Sequence, residues 1–315
     1  MRIEVIEEGR RWRAWAPAKV NLFFEVLGKR PDGYHDIETV VAQLDLCDRL
    51  EFERTEKPGL ELECFDEEGK LDAEIPCDER NLVAKAFSFF CSDCNDFAGN
   101  FGLKCQIFKK IPTTAGLGGG SSDAASGLSV FNIASGALVS TCRLQKIAGR
   151  VGSDVALFLE KGGSIGRGRG ELVESLEIPR LCLVLLKPRE GLSTPAVYRR
   201  YAEAANDEPR RSLDDFCKGV LRAFELSQSS DGRAEAAKIV AERLFNRLEQ
   251  PASELWSGLE PRRELLLATG ALGVQMSGSG TAIFAIYSDE ISANRAALVL
   301  NEQSFGDRVY VVRTL

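Results

Sequence analysis

Ile111-Pro112-Thr113-Thr114-Ala115-Gly116-Leu117-Gly118-Gly119-Gly120-Ser121-Ser122-Asp123-Ala124-Ala125 decides how this chain is read. Four glycines and two serines stand between an alternating apolar run, 101–108, and a small-residue segment rich in Ala, Ser and Leu. Glycine permits positive φ and close backbone approach, so successive N–H groups can turn inward around an anion. A helix opening near Ser121 adds the positive end of its dipole at the same place. The stretch predicts a loop that holds phosphates. A flexible linker is the competing reading, but linkers join domains, and this segment lies tightly between a strand pattern and a helix pattern. Two common phosphate loops are excluded by the residues themselves. No Lys followed by Ser or Thr comes after the last glycine, as a Walker loop requires, and Ser121 stands where a dinucleotide fingerprint needs glycine.

A length of 315 residues allows two domains, and 44% apolar residues suffice for buried cores. No apolar run approaches the ~20 residues of a membrane span, and the alternation Met1–Glu8 has no signal-peptide core. A cytoplasmic protein without a membrane partner is expected. The net charge of −7 argues against nucleic acid as a partner, so an anionic substrate must be met by local positive groups. Nine cysteines, an odd number scattered singly, read as reduced thiols. Cys91 and Cys94 have ligand-like spacing, but no second pair follows and His35 is the only histidine, so they read as packing at a helix end.

Alternation predicts strands at 3–7, 11–16, 20–27, 39–44, 49–53, 60–64, 101–108, 164–168 and 181–186. Helical spacing covers 81–91, 122–134 and 141–151 in the first half. In the second half it covers 195–205, 212–226, 233–248, 261–269 and 291–303, with strands at 271–276, 281–287 and 308–313. Because strands and helices do not alternate regularly, the fold class is α+β in two layers. The boundary falls near Pro179, giving an N-terminal ATP-binding domain, 1–178, and a C-terminal domain, 179–315, whose last strand is free to return to the first.

Single residues carry the rest of the chemistry. Lys19 interrupts an apolar strand; it is either an edge lysine reaching water or a cation facing transferring phosphate, and spacing alone leaves both open. Asp154, in Gly152-Ser153-Asp154-Val155, is either a helix cap or the group that accepts or orients an alcohol proton. Gly33-Tyr34-His35 puts an aromatic and the sole imidazole on a turn, a pair suited to stacking on and reading a nucleobase. Tyr198 is either core or a second stacking face.

Gly116–Ala125 resembles the central motif of the GHMP kinases, the superfamily of galactokinase, homoserine kinase and mevalonate kinase. Ala16-Pro17-Ala18-Lys19-Val20-Asn21-Leu22 and Arg30-Pro31-Asp32-Gly33-Tyr34-His35 are similar to the branch acting on a cytidine-diphosphate-linked methylerythritol. Asn81-Leu82-Val83, Gly152–Val155, Gly166–Glu171 and Met276-Ser277-Gly278-Ser279-Gly280 follow in the family's order and span nearly the whole chain. The resemblance implies an N-terminal half like domain 2 of ribosomal protein S5, a ferredoxin-like C-terminal half, and an active site in the cleft between them. It implies ATP-dependent phosphorylation of the 2-hydroxyl, with Lys19 and Asp154 as the catalytic pair. ATP would be held by Asn81 and by Pro112, Thr113, Thr114, Ala115, Gly116, Leu117, Gly118, Gly119, Gly120, Ser121 and Ser122. Tyr34 and Tyr198 would sandwich the cytosine, with His35 and Asn21 making polar contacts and Thr194 opening the second stacking segment. Mg²⁺ is expected with ATP, Ser121 or Ser122 offering hydroxyls, with no firm protein ligand. The partner is a small cytidine diphosphate substrate, and the chain is a monomer or homodimer. A GHMP kinase for mevalonate or homoserine is the second reading, which the Asp32–His35 element disfavours. A non-catalytic sensor on the same fold is the third, which Lys19 and Asp154 disfavour. The chain departs from many relatives at Arg247, where they carry Asp, and at Ala156 and Thr281, where they carry Pro.

Overall fold

Two very long strands organise the first half of the computed structural model, which describes residues 2–94, 101–204, 209–303 and 305–315. β1 (Arg2–Glu7), β2 (Arg11–Lys29), β3 (His35–Thr55) and β4 (Gly59–Phe65) are followed by helix α1 (Leu82–Asp93) and β5 (Gly102–Phe108). They form a sheet in the order β1-β2-β3-β5-β4, extended by β6 (Gly163–Gly168) on β3 and β7 (Leu172–Leu176) on β6. The expected break at Pro17 does not occur. Register shifts at Pro17/Lys19, Asn21/Phe23 and Val26/Gly28 carry β2 through as bulges. Pro17 itself stays in register opposite Cys47, and the extra residues at the first shift, 44–46, lie on β3.

Helices α2 (Gly119–Ser135) and α3 (Thr141–Val151) pack with α1 over Trp12, Ala14, Ala16, Leu50 and Phe52. α2 starts two residues earlier than the sequence predicts, with left-handed Gly118 (φ 72°) as its cap, so Ser121 and Ser122 lie inside the helix. Asp123 is therefore buried within α2 and does not serve as an exposed charge at its start.

A second sheet joins β8 (Cys182–Lys187), β10 (Gly273–Met276), β11 (Ile283–Tyr287) and β12 (Arg308–Arg313) in the antiparallel order β10-β11-β8-β12. With helices between β8 and β10 and between β11 and β12, this is the ferredoxin-like split arrangement. Both faces are covered. Leu183, Leu185, Phe284 and Ile286 enter a core shared with Val20, Leu22 and Val40 of the first sheet. Val184, Leu186, Ile283, Ala285 and Tyr287 alternate into a core under the outer helices. Those between β8 and β10 are α4 (Thr194–Glu203), α5 (Leu213–Ser227), α6 (Arg233–Ala241), α7 (Glu249–Leu255) and α8 (Leu259–Ala268); α9 (Glu290–Gln303) precedes β12. The last residue of the helix expected at 195–205 lies outside the described residues. β12 stays in the second sheet and reaches β3 of the first through the Leu44–Thr314 bridge and hydrogen bonds from Leu315 N–H to Gln43 O and from Arg313 N–H to Asp45 Oδ1.

The helix expected over 233–248 stops at Ala241. Phe245–Asn246 forms β9, paired in parallel with Phe23 and Phe24 of β2, and the Phe245 ring stands 5.7 Å from that of Phe23. Strand pairing and ring packing here override helical spacing.

Candidate active site

The glycine-rich loop is gripped from both halves of the chain. Leu117 O accepts the N–H of Lys19 at 2.9 Å, and Ala115 O accepts that of Ala282 at 3.0 Å. Ser277 Oγ donates to Gly116 O at 2.9 Å. A Cβ on Gly116 would lie 2.2 Å from Ser277 O, and one on Gly118 2.7 Å from the Phe158 ring and 3.1 Å from Lys19 Cγ. Both glycines also have positive φ, 74° and 72°. Here the close approach that glycine permits is to protein atoms. Thr113, Thr114 and Gly120 are exposed, Pro112, Gly119 and Ser121 half-buried, and Ser122 fully buried. The first N–H groups of α2 have no helical acceptor and point out of its start, the arrangement that binds phosphate.

Lys19 projects from β2, in register with Gln43 of β3, beside this loop. Its side chain is only 4% exposed, which removes the edge-lysine reading, and its Nζ lies 3.6 Å from Asp154 Oδ2. The shorter contact is to Asn21 Oδ1, at 2.6 Å. Asn21 in turn donates from Nδ2 to Thr39 Oγ1 at 2.9 Å. The Asn21 amide thus ties the lysine to β3. Asp154 follows α3 and is 38% exposed; the 3₁₀ turn at Ala156–Leu159 has no side-chain cap, so Asp154 is not a capping residue. The turn between β6 and β7 packs over it, with a Cβ on Gly170 placed 2.9 Å from Ser153 O.

Across the site, His35 and Tyr198 stack at 4.8 Å between ring centroids, with Tyr201 edge-on to His35 at 6.2 Å. Tyr34 stays exposed under the Arg169 guanidinium, 5.0 Å from its ring. Tyr34 and Tyr198 are not in ring contact, and His35 covers one face of Tyr198. Burial, then Lys29, lowers the His35 pKa and keeps the ring neutral near pH 7. Burial, then the Asp154 charge, pushes the Tyr198 hydroxyl up. Tyr198 also leans on the outer core. Thr194 Oγ1 pairs with Ser279 Oγ at 2.7 Å, linking α4 to the Ser277–Gly280 turn. Asn81 Oδ1 caps α1 through the Val83 N–H, and its Nδ2 donates to Pro76 O.

Sequence reading missed the residues that hold the Ser277–Gly280 turn. Asn246 Nδ2 donates to Met276 O and Gly278 O, both at 2.8 Å, and Gln275 Nε2 donates to Asn21 O at 2.9 Å. Glu249 Oε2 accepts from Met276 N–H at 3.0 Å. Arg247 points away from this turn into a buried, two-pronged pair with Glu25 at 2.8 and 2.9 Å. Its charge reversal relative to many kinases therefore serves packing. The Gly/Ser alternation at 277–280 was the available signal for the turn; nothing local signalled Asn246 as its support.

Two family models match the chain, GHMP kinases N terminal domain over residues 81–162 and GHMP kinases C terminal over 230–304. The class defined by this fold and this loop is that of the GHMP kinases. A 4-diphosphocytidyl-2-C-methyl-D-erythritol kinase of Pelotomaculum thermopropionicum is 37% identical over 90% of this chain and 92% of its own length. The Brevibacillus brevis enzyme of the same name is 35% identical over 95% of each. A crystal structure of 4-(cytidine 5'-diphospho)-2C-methyl-D-erythritol kinase superposes with a TM-score of 0.74 at 30% identity, covering 96% of this chain and 99% of that one. Homoserine kinase from Cytophaga hutchinsonii shares the fold, with a TM-score of 0.70 at 17% identity over 100% of this chain and 97% of that one. The chain belongs to the 4-diphosphocytidyl-2-C-methyl-D-erythritol kinase family.

Proposed function

We propose that the chain phosphorylates the 2-hydroxyl of 4-diphosphocytidyl-2-C-methyl-D-erythritol with ATP, using Lys19 and Asp154 as its catalytic pair. The observation that carries the reading is the buried Lys19, its ammonium 3.6 Å from an accessible Asp154 and its backbone N–H hydrogen-bonded to Leu117 O of the glycine-rich loop. Phosphoryl transfer passes through a loose transition state, so positioning and charge stabilisation outweigh covalent chemistry. Loop N–H groups and the α2 dipole hold the ATP phosphates, and Lys19 neutralises charge developing on the transferred group. Asp154 accepts a hydrogen bond from the attacking hydroxyl and sets its line of approach.

Mg²⁺, when bound with ATP, would supply counter-charge to the phosphates. Among the described residues no group of three or more His, Cys, Asp or Glu is placed to hold a metal ion, and Ser121 is more accessible than Ser122. The cytosine would enter beside Tyr34 and Tyr198, with His35 reading its polar edge. The reading divides the chain at 1–178 and 179–315, with the site in the cleft, and treats it as a monomer or homodimer. Nine free thiols support a reducing, cytoplasmic setting, and no described helix is long and apolar enough to cross a membrane.

ADP release measured with the cytidine substrate, mevalonate and homoserine tests the proposal. Turnover is expected with the first alone; release with either of the others but not with the cytidine compound would refute it.

A further inference from the structure

Beneath the glycine-rich loop lies a charged cluster that the proposed chemistry does not use. Lys109 ends β5's exit, and its ammonium pairs with Asp48 of β3 and with Asp123 of α2, the latter at 2.6 Å. All three are buried, the lysine side chain 10% exposed and the carboxylates 0% and 5%. Asp48 Oδ1 also accepts the N–H groups of Lys110 and Ile111, at 2.6 and 2.8 Å, where the chain enters the loop. The loop thus leaves one residue after Lys109 and returns through a helix whose buried face is fastened to the same ammonium. An isolated buried ion pair is weak evidence of stability, because desolvation offsets its attraction. Specifying one geometry is the better-supported use of such a pair.

We propose that Lys109 is a positioning residue for the nucleotide, tying both ends of the glycine-rich loop to β3 through Asp48 and Asp123 so that the first N–H groups of α2 aim at the phosphates. The inference rests on the phosphate-loop reading above. Two carboxylates share one cation, and Asp123 Oδ1 is buried without a partner. Burial raises the Asp123 carboxyl to about 7; Lys109 opposes the rise and Asp48 adds to it. The other titratable groups around it are Cys105 on β5, Cys64 on β4, and Cys77 in the connection to α1. Burial holds the first two thiols neutral, so the Lys109–Asp123 arm carries the titration. As pH falls through about 7, Asp123 takes up a proton and the tether loses its charge.

The test measures KM for ATP and for the cytidine substrate in the full chain, with ATP affinity by calorimetry, between about pH 6 and 8. Lys109→Met should raise the ATP KM and dissociation constant about tenfold, as expected when a binding group is misplaced by a fraction of an ångström, with the cytidine KM nearly unchanged. Where Lys109→Met does not fold, Asp123→Asn reads the same tether. It should weaken ATP binding at the upper pH and abolish the loss of affinity that the native chain shows toward the lower. A folded variant with native ATP affinity, or with both substrates weakened equally, overturns the inference. A native chain that binds ATP but phosphorylates none of the acceptors would instead overturn the kinase reading, and calorimetry would still decide the role of Lys109.

Discussion

Lys19 Nζ lies 3.6 Å from Asp154 Oδ2, a full ångström farther than from Asn21 Oδ1 at 2.6 Å. The lysine is held by the asparagine and only faces the aspartate. Asp154 is therefore close to a cation and still open to accept a hydrogen bond from a hydroxyl. Asn21→Leu should release the lysine toward Asp154 and lower kcat about 10-fold or more, since charge stabilisation depends on preorganised position, while leaving the KM for ATP nearly native. Steady-state kinetics with each substrate varied would check this; a native kcat would mean that the asparagine does not set the lysine.

Gly118 is the loop position at which backbone and packing demands coincide. Its φ of 72° disfavours any L side chain, and a Cβ would press on the Phe158 ring and Lys19 Cγ. The left-handed conformation alone costs about 1–2 kcal/mol for a non-glycine residue. Gly118→Val should lose ATP binding and turnover together while circular dichroism still reports a folded chain. Unchanged ATP affinity in that folded variant would remove the loop from nucleotide binding.

Tyr198 packs on the outer core and is also proposed to take the base, and kinetics can separate the two roles. A base stacked on an aromatic face gains about 1–3 kcal/mol, so Tyr198→Ala should raise the KM for the cytidine substrate and leave that for ATP near native. A lower melting temperature with native substrate affinity would reduce Tyr198 to core. His35, kept neutral by burial and Lys29, should gain a proton only below its ordinary 6.5. Cytidine affinity is accordingly expected to weaken on acidification below that value, and His35→Gln should flatten the profile.

Arg247 and Glu25 form a buried pair whose loss should be felt in stability rather than in chemistry. Their side chains are 7% and 0% exposed. Removing one partner of such a pair costs about 3–5 kcal/mol because the other charge stays buried. Arg247→Met should lower the denaturation midpoint strongly, and Glu25→Leu added to it should recover much of the loss. Burial raises the Glu25 pKa, but Arg247 and the N–H groups of Arg211 and Val26 outweigh it and hold the carboxyl below its usual 4.5. This contribution is full above 4.5 and disappears as pH falls through the lower folded value, so acid unfolding of the native chain should be steeper than that of the double variant.

What the sequence showed depended on whether a signal was local. Glycine spacing at 116–120 exposed the loop because positive φ and close approach are demands of single residues. The strand runs on through Pro17 because its pairing with Cys47 of β3, a residue far away in sequence, outweighs the local break that a proline signals. Phe245 and Asn246 kept helical spacing yet joined β2, since their partners, Phe23, Met276 and Gly278, are far away in sequence. Likewise, Lys19 and Asp154 could each be named, but not that Asn21 stands between the lysine and its expected task.

The central claim, that Lys19 and Asp154 act as one unit, is tested most directly by a double-mutant cycle on single-turnover phosphoryl transfer to the cytidine substrate. Each alanine variant should lose about 10²-fold or more, and the double variant should lose little beyond the worse single one. Losses that multiply across the cycle, or an Asp154→Asn chain with near-native turnover, would contradict the pairing and move the chemistry elsewhere.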